Sequence, residues 1–181
     1  MGITKIDEIE GIGDLENLYF LNLSHNRIKV VSGLERCSKL IKLVLNDNKL
    51  KKISGLEKLV HLRDLYLNDN QISRIEGVEN LLDLVELYLS RNNISEISGL
   101  DSLVHLEYLD LSDNKIKEIN KLNNLSALSV LRIKNNPISE IHNFEGFPPN
   151  LKMIDIHPNA LSKEKYLEVS RKYKIYEEDY Y

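Results

Sequence analysis

The 181 residues predict an α/β fold: a right-handed solenoid with a parallel β-sheet on its concave face, a 3₁₀ or irregular convex side and a C-terminal capping helix. Three observations carry that prediction. A 22-residue unit, of which LVELYLSRNNISEISGLDSLVH (Leu84 to His105) is one copy, starts at Leu18, Leu40, Leu62, Leu84, Leu106 and Leu128, and a seventh unit starts at Leu151 after 23 residues. Each unit opens with an alternating run such as Leu87-Tyr88-Leu89, with leucines facing inward and the residue between them outward. An Asn holds the ninth position throughout: Asn26, Asn48, Asn70, Asn92, Asn114, Asn136 and Asn159. Strands repeated at so short a period leave too little chain for a hairpin, so they stack in parallel.

Residues 1–17 read as the second half of a repeat. Ile6, Ile9, Ile12 and Leu15 lie 22 residues before Ile28, Val31, Leu34 and Cys37. Lys5, Asp7, Glu8 and Glu10 between them are expected to shield the open end of the stack. Residues 18–161 hold the full units. Within each, the Asn amide both donates and accepts, so a column of them can hold loop backbone that has left the sheet. The half-unit IxxIxGLxxLxx then returns along the convex side, with short 3₁₀ segments expected there. Gly33, Gly55, Gly77 and Gly99 suit a tight, positive-φ position. Lys121 and Asn143 replace Gly in the next two units, so either the turn changes there or the position tolerates a side chain.

Residues 162–181 break the pattern. SKEKYLEVSRKYK predicts a helix over 162–174, with Ser162 as N-cap and Glu164 in its first turn. Tyr166, Val169, Ser170 and Tyr173 share the face that would cover the last repeat. The terminal YEEDYY reads as a solvated, acidic tail.

Apolar residues make up 42% of the chain, charged residues 29%, and the net charge is −4, so no polyanion is indicated as the main partner. There is no basic run and no apolar run long enough to cross a bilayer. The lone Cys37 permits no internal disulfide. It occupies the position of Leu59, Leu81 and Leu103, so it reads as core.

The unit resembles the leucine-rich repeat. Its length and its IxxIxGLxxL half resemble the subclass found in the protein phosphatase 1 regulatory subunit of the sds type, most closely in LYLNDNQISRIEGVENLLDL (Leu65 to Leu84). Bacterial internalins are similar in repeat length but carry signal peptides and wall anchors. No such segment is recognisable here, and the Cys-rich caps usual in secreted leucine-rich repeat proteins are missing. The cytoplasm is therefore the expected compartment, with the nucleus an option. The resemblance implies a non-catalytic scaffold that binds a partner protein on its concave face. The alternative it implies is a regulatory subunit of an enzyme, foremost a Ser/Thr protein phosphatase.

The outward strand positions, which the motif leaves free, are the candidate site. Phe20, Val44, Tyr66, Tyr88 and Tyr108 form an oblique apolar stripe where the core does not account for them, and protein interfaces favour such residues. Asp64, Glu86, Asp110 and Arg91 lie beside it, with Asp47, Asp69 and Asp113 at the strand exits. The acids suggest a partner presenting basic and apolar contacts. Arg91 sits between Asp69 and Asp113 and could neutralise them. No cofactor, metal or catalytic constellation is expected: His61 and His105 fall two repeats apart, about 10 Å. An acid-rich concave face argues against nucleic acid, and nothing points to a membrane. A monomer is expected.

Overall fold

The structure is a computed structural model that describes residues 5–12, 14–138, 140–141, 147–157 and 162–175. Seven three-residue strands recur once per turn: β1 (Phe20–Asn22), β2 (Lys42–Val44), β3 (Asp64–Tyr66), β4 (Glu86–Tyr88), β5 (Tyr108–Asp110), β7 (Val130–Arg132) and β9 (Met153–Asp155). All pair in parallel without slippage, so Leu21, Leu43, Leu65, Leu87, Leu109, Leu131 and Ile154 form one row. From Leu43 onward that row is fully buried. A second, two-stranded parallel sheet joins β6 (Glu118–Ile119) to β8 (Glu140–Ile141) on the return half of two turns.

The ninth-position asparagines hold the strand half to the return half. Asn92 Nδ2 donates to Leu67 O at 2.9 Å, Leu89 O at 3.0 Å and Ser90 O at 3.3 Å, and its Oδ1 accepts from Ile72 N–H at 2.9 Å. One side chain thus ties its own turn to the one before it. Asn48, Asn70, Asn114 and Asn136 repeat the arrangement, and Asn26 does so against Ile6. Asn159 and Asn143 lie outside the described residues.

Just before each asparagine the backbone turns left-handed. His25, Asp47, Asp69, Arg91, Asp113 and Asn135 all have φ between 51° and 61°. Asp, Asn and His tolerate that region better than other side chains, so backbone geometry accounts for much of the acid at this position. The glycine turn behaves differently. At Gly77, with φ 76°, an added Cβ would lie 2.4 Å from Ile53 O. Lys121 nevertheless keeps a positive φ of 55°, in a turn that follows directly on β6.

The convex side consists of single turns closed by i→i−3 bonds, such as Leu59 N–H to Leu56 O and Leu62 N–H to Leu59 O, both 2.9 Å. These share the 3₁₀ bonding pattern but do not run on as helices.

Helix α1 spans Lys163–Lys172, and Ser162 caps it by accepting from Lys165 N–H. Val169 and Tyr173 are buried, whereas Ser170, expected on the same face, is exposed. The Tyr173 ring packs on Phe147 with centroids 5.6 Å apart. Behind the helix, β10 (Lys174–Ile175) adds to the sheet beside β9. Two residues are too short a run to show periodicity, so this strand has no sequence signal. The tail beyond it lies outside the described residues. At the other end the half-turn covers only part of the first repeat: Ile9 is buried, but Ile6 and Leu15 are 43% and 46% exposed. Arg36 fastens this segment through ion pairs to Asp14 and Glu16.

Leu89, fully buried at the centre of the stack, sets a test. Leu89→Ala is expected to lower the unfolding free energy by about 2–5 kcal/mol in urea denaturation. Asn92→Ala is expected to cost about 1–3 kcal/mol, since it orphans the buried Ile72 N–H, while Leu67 O, Leu89 O and Ser90 O keep Asn70, Asn114 and Asp69 as donors. A parent-like midpoint for either variant contradicts the packing described.

Candidate functional site

Parallel pairing without slippage places the outward side chains of successive strands directly beside one another. Tyr66 on β3 and Tyr88 on β4 are register partners, and their rings stack with centroids 4.3 Å apart at 10°. Tyr108 on β5 belongs to the neighbouring column but leans across, bringing its ring 4.8 Å from Tyr88 at 32°. Three tyrosines from three turns thus form one aromatic ladder.

Polar groups fix this ladder. Glu86 bridges the hydroxyl ends of the first two rings: its Oε2 accepts from Tyr66 at 3.0 Å and from Tyr88 at 3.2 Å. Lys42 Nζ donates to the Tyr66 hydroxyl at 3.1 Å and sits 4.4 Å from that ring's centroid. The hydrogen bond to Tyr66 raises the Lys42 pKa. At the far end Arg132 bonds Tyr108 and donates from Nε to the buried Asp155 at 3.0 Å. Burial, reinforced by the Glu86 charge, pushes the Tyr88 hydroxyl far above its ordinary value. Burial also raises Tyr108.

The sequence-predicted residues therefore divide. Tyr66, Tyr88, Tyr108 and Glu86 come together. Phe20 is 53% exposed but stands on the outermost strand, in register with Lys42 and two strands from Tyr66. Val44, in an outward position, is buried at 9% exposure, so it supports the Tyr66 side of the ladder more than it offers surface. Asp110 is buried too and turns back to accept from Ser112 N–H at 2.9 Å. Asp64 faces Lys42 at 3.7 Å. Arg91 grips Asp69 with two nitrogens, Nε at 2.6 Å and Nη2 at 3.1 Å, and that bond raises its pKa. Asp113 accepts from Asn135 instead, and Asp47 pairs with His25 at 3.0 Å. Most of the acids that suggested a basic partner thus have partners within the chain. Lys42, Arg132 and Asp155 are the members that sequence reasoning left out. All three stand in the same two outward columns, so the signal was their register with the tyrosines.

Nothing in this arrangement resembles an acid–base pair aimed into a pocket. Among the described residues no group of three His, Cys, Asp or Glu side chains is placed to hold a metal ion. Cys37 is fully buried, and burial raises its thiol pKa. Among the described residues no helix is long and apolar enough to cross a membrane.

The fold and this surface define a class: repeat solenoids that present side chains on an open parallel sheet. The chain belongs to the leucine-rich repeat family. The model described as Leucine Rich repeats (2 copies) matches overlapping segments over residues 16–58, 38–80, 60–102, 82–124 and 104–148. Proteins of this family typically act as protein-interaction scaffolds, and no catalytic family is indicated. No curated protein matches the chain. Among solved structures it is similar to an internalin from Listeria monocytogenes at 26% identity and TM-score 0.81, covering 98% of this chain and 52% of that one. Internalin C2 from the same organism is 30% identical with TM-score 0.77, covering 95% and 75%. A leucine-rich repeat protein from Leptospira interrogans is 30% identical with TM-score 0.83, covering 92% and 44%. The chain spans about half the length of the first of these internalins.

The raised Tyr88 pKa carries a sign. Folding holds the proton that an unfolded tyrosine releases near its ordinary value of about 10, so this contribution is complete below that pH and is lost as pH rises above it. Thermal unfolding between pH 9 and pH 11 is therefore expected to show falling stability, with a shallower fall in Tyr88→Phe. Equal slopes for parent and variant contradict the burial assigned to that hydroxyl.

Proposed function

We propose that the chain is a non-catalytic scaffold that binds a partner protein on its concave sheet face, with Tyr66, Tyr88 and Tyr108 as the anchor. The observation that carries this reading is the stacked, hydrogen-bonded ladder on outward strand positions. Rings already held in place lose little conformational freedom when a partner covers them, and clustered aromatics are where interface energy concentrates. Phe20 and the framed charges of Asp64, Glu86, Arg91 and Asp110 border the anchor, with Val44 beside Tyr66 on the neighbouring strand. Because these charges are largely compensated inside the chain, they orient the partner, and the affinity comes from the apolar contact.

The resemblance of Leu65 to Leu84 to phosphatase-subunit repeats supports a second, narrower reading, in which the partner is a Ser/Thr protein phosphatase held in the cytoplasm. Phosphatase activity copurifying with the tagged chain separates that reading from a general scaffold.

The anchor is tested by replacing Tyr66 and Tyr88 together with Ala and measuring affinity for a partner captured on the parent chain. The expected loss is about 100-fold or more, in line with interface hot spots. Unchanged affinity in a folded double variant removes the ladder from the site.

A further inference from the structure

The flank where the strands begin carries a second surface, apart from the tyrosines. Val85 N–H donates to Arg63 O at 2.8 Å and Glu107 N–H to Val85 O at 2.9 Å, so Arg63, Val85 and Glu107 form a column with one residue per turn. Arg63 and Glu107 are exposed, and among the described residues neither has an ion-pair partner. Close by in the chain, Val60, Leu82 and Val104 are 44%, 53% and 44% exposed on three successive turns. Elsewhere on the stack the same position holds Ser38 and Ser126. Exposed aliphatics thus recur at this position on three successive turns, and the column beside them places opposite charges on either side of Val85, with Ile41, 40% exposed, continuing it before Arg63.

Over three turns these two rows have a twofold order, beyond which Ile41 stands opposite Ser129. Rotation by half a turn about an axis through Leu82 and Val85 exchanges Val60 with Val104 and the position of Arg63 with that of Glu107. Two copies brought together about that axis set Leu82 against Leu82 and Val60 against Val104. Each Arg63 then meets a Glu107, twice over. Self-complementarity of this kind is what an isologous interface requires.

We propose that this flank is a twofold dimer interface whose occupant is a second, antiparallel copy of this chain, in place of the monomer expected from the sequence. The charge pairing selects that occupant, because an unrelated partner needs no palindromic order along the stack. Asp83, near the axis, meets its own copy, but His61 Nδ1 already holds it at 3.1 Å, and it lines a shallow depression together with Arg63 and His105. The column from Ile41 to Ser129 spans only about 20 Å at the strand spacing. Such a patch falls short of the roughly 800 Å² per partner of a standard interface, so the dimer is a weak, micromolar one. The concave face stays open in it, and each dimer presents two tyrosine ladders.

Sedimentation equilibrium of the full chain tests this. The weight-average mass is expected to rise from 21.0 kDa towards twice that value across the micromolar range. Leu82→Glu should weaken association about tenfold or more. Arg63→Glu alone and Glu107→Arg alone should each weaken it by about tenfold, and the double exchange should restore it because the pair is re-formed with its signs reversed. All these side chains are exposed, and thermal unfolding verifies that each variant is folded. A parent chain that stays monomeric throughout overturns the proposal. So does a double variant as weak as either single one, or undiminished association in Leu82→Glu.

Discussion

One hydrogen-bonded amide, repeated once per turn, holds this molecule in shape. Leucines alone would collapse the chain but would not set where one turn lies relative to the next. The ninth-position Asn does so, because its Nδ2 bonds carbonyls of two successive turns while its Oδ1 takes a backbone N–H from the return half. The N–H it holds has left the sheet ladder and would otherwise be buried without a partner, and its Nδ2 shares carbonyls with the asparagines of the adjacent turns. The amide therefore sets a constant turn height, and the unslipped pairing of β1 to β9 follows from it.

Constant height is also what makes the outward surface specific. Side chains one strand apart sit at a separation that suits ring stacking, so tyrosines on β3, β4 and β5 fall into contact without any special device. Glu86 then fixes two hydroxyls, and Lys42 and Arg132 close the ends. The result is a stiff aromatic surface whose charges are answered within the chain. A partner meeting it gains apolar contact without breaking strong ion pairs. On the opposite edge of the strands, the same periodicity sets aliphatic and charged side chains in the palindromic order from which self-association is argued.

The framework was legible because repetition tests every assignment several times over. Leucine spacing gave the strands, the Asn column gave the turn fastening, and Ser162 and Glu164 gave the start of the capping helix. The strand β10 was not legible, since Lys174 and Ile175 are too few to display a period. Lys121 showed only that something differs at the glycine position; whether the backbone or the side chain gives way depends on local contacts. At the site, register identified the tyrosines, yet exposure could not be read from register. Val44 and Asp110 face outward and are still buried, because their neighbours and a backbone N–H draw them in. The acids at the strand exits also have a local explanation. Their positive φ favours Asp and Asn whatever the partner, and Asp47, Asp69 and Asp113 are all engaged locally.

The fold and its outward surface rest on the amide column joining the turns into one stack. Hydrogen exchange of the free chain, resolved by residue, tests that directly. The N–H groups of Ile72 and Ile94, held by Asn92 and Asn114, are expected among the slowest in the protein, with protection falling towards Ile28 and the partly covered first turn. If those amides exchange as fast as the convex-turn N–H groups of Leu59 or Leu81, the asparagine column does not hold the stack and this account is wrong.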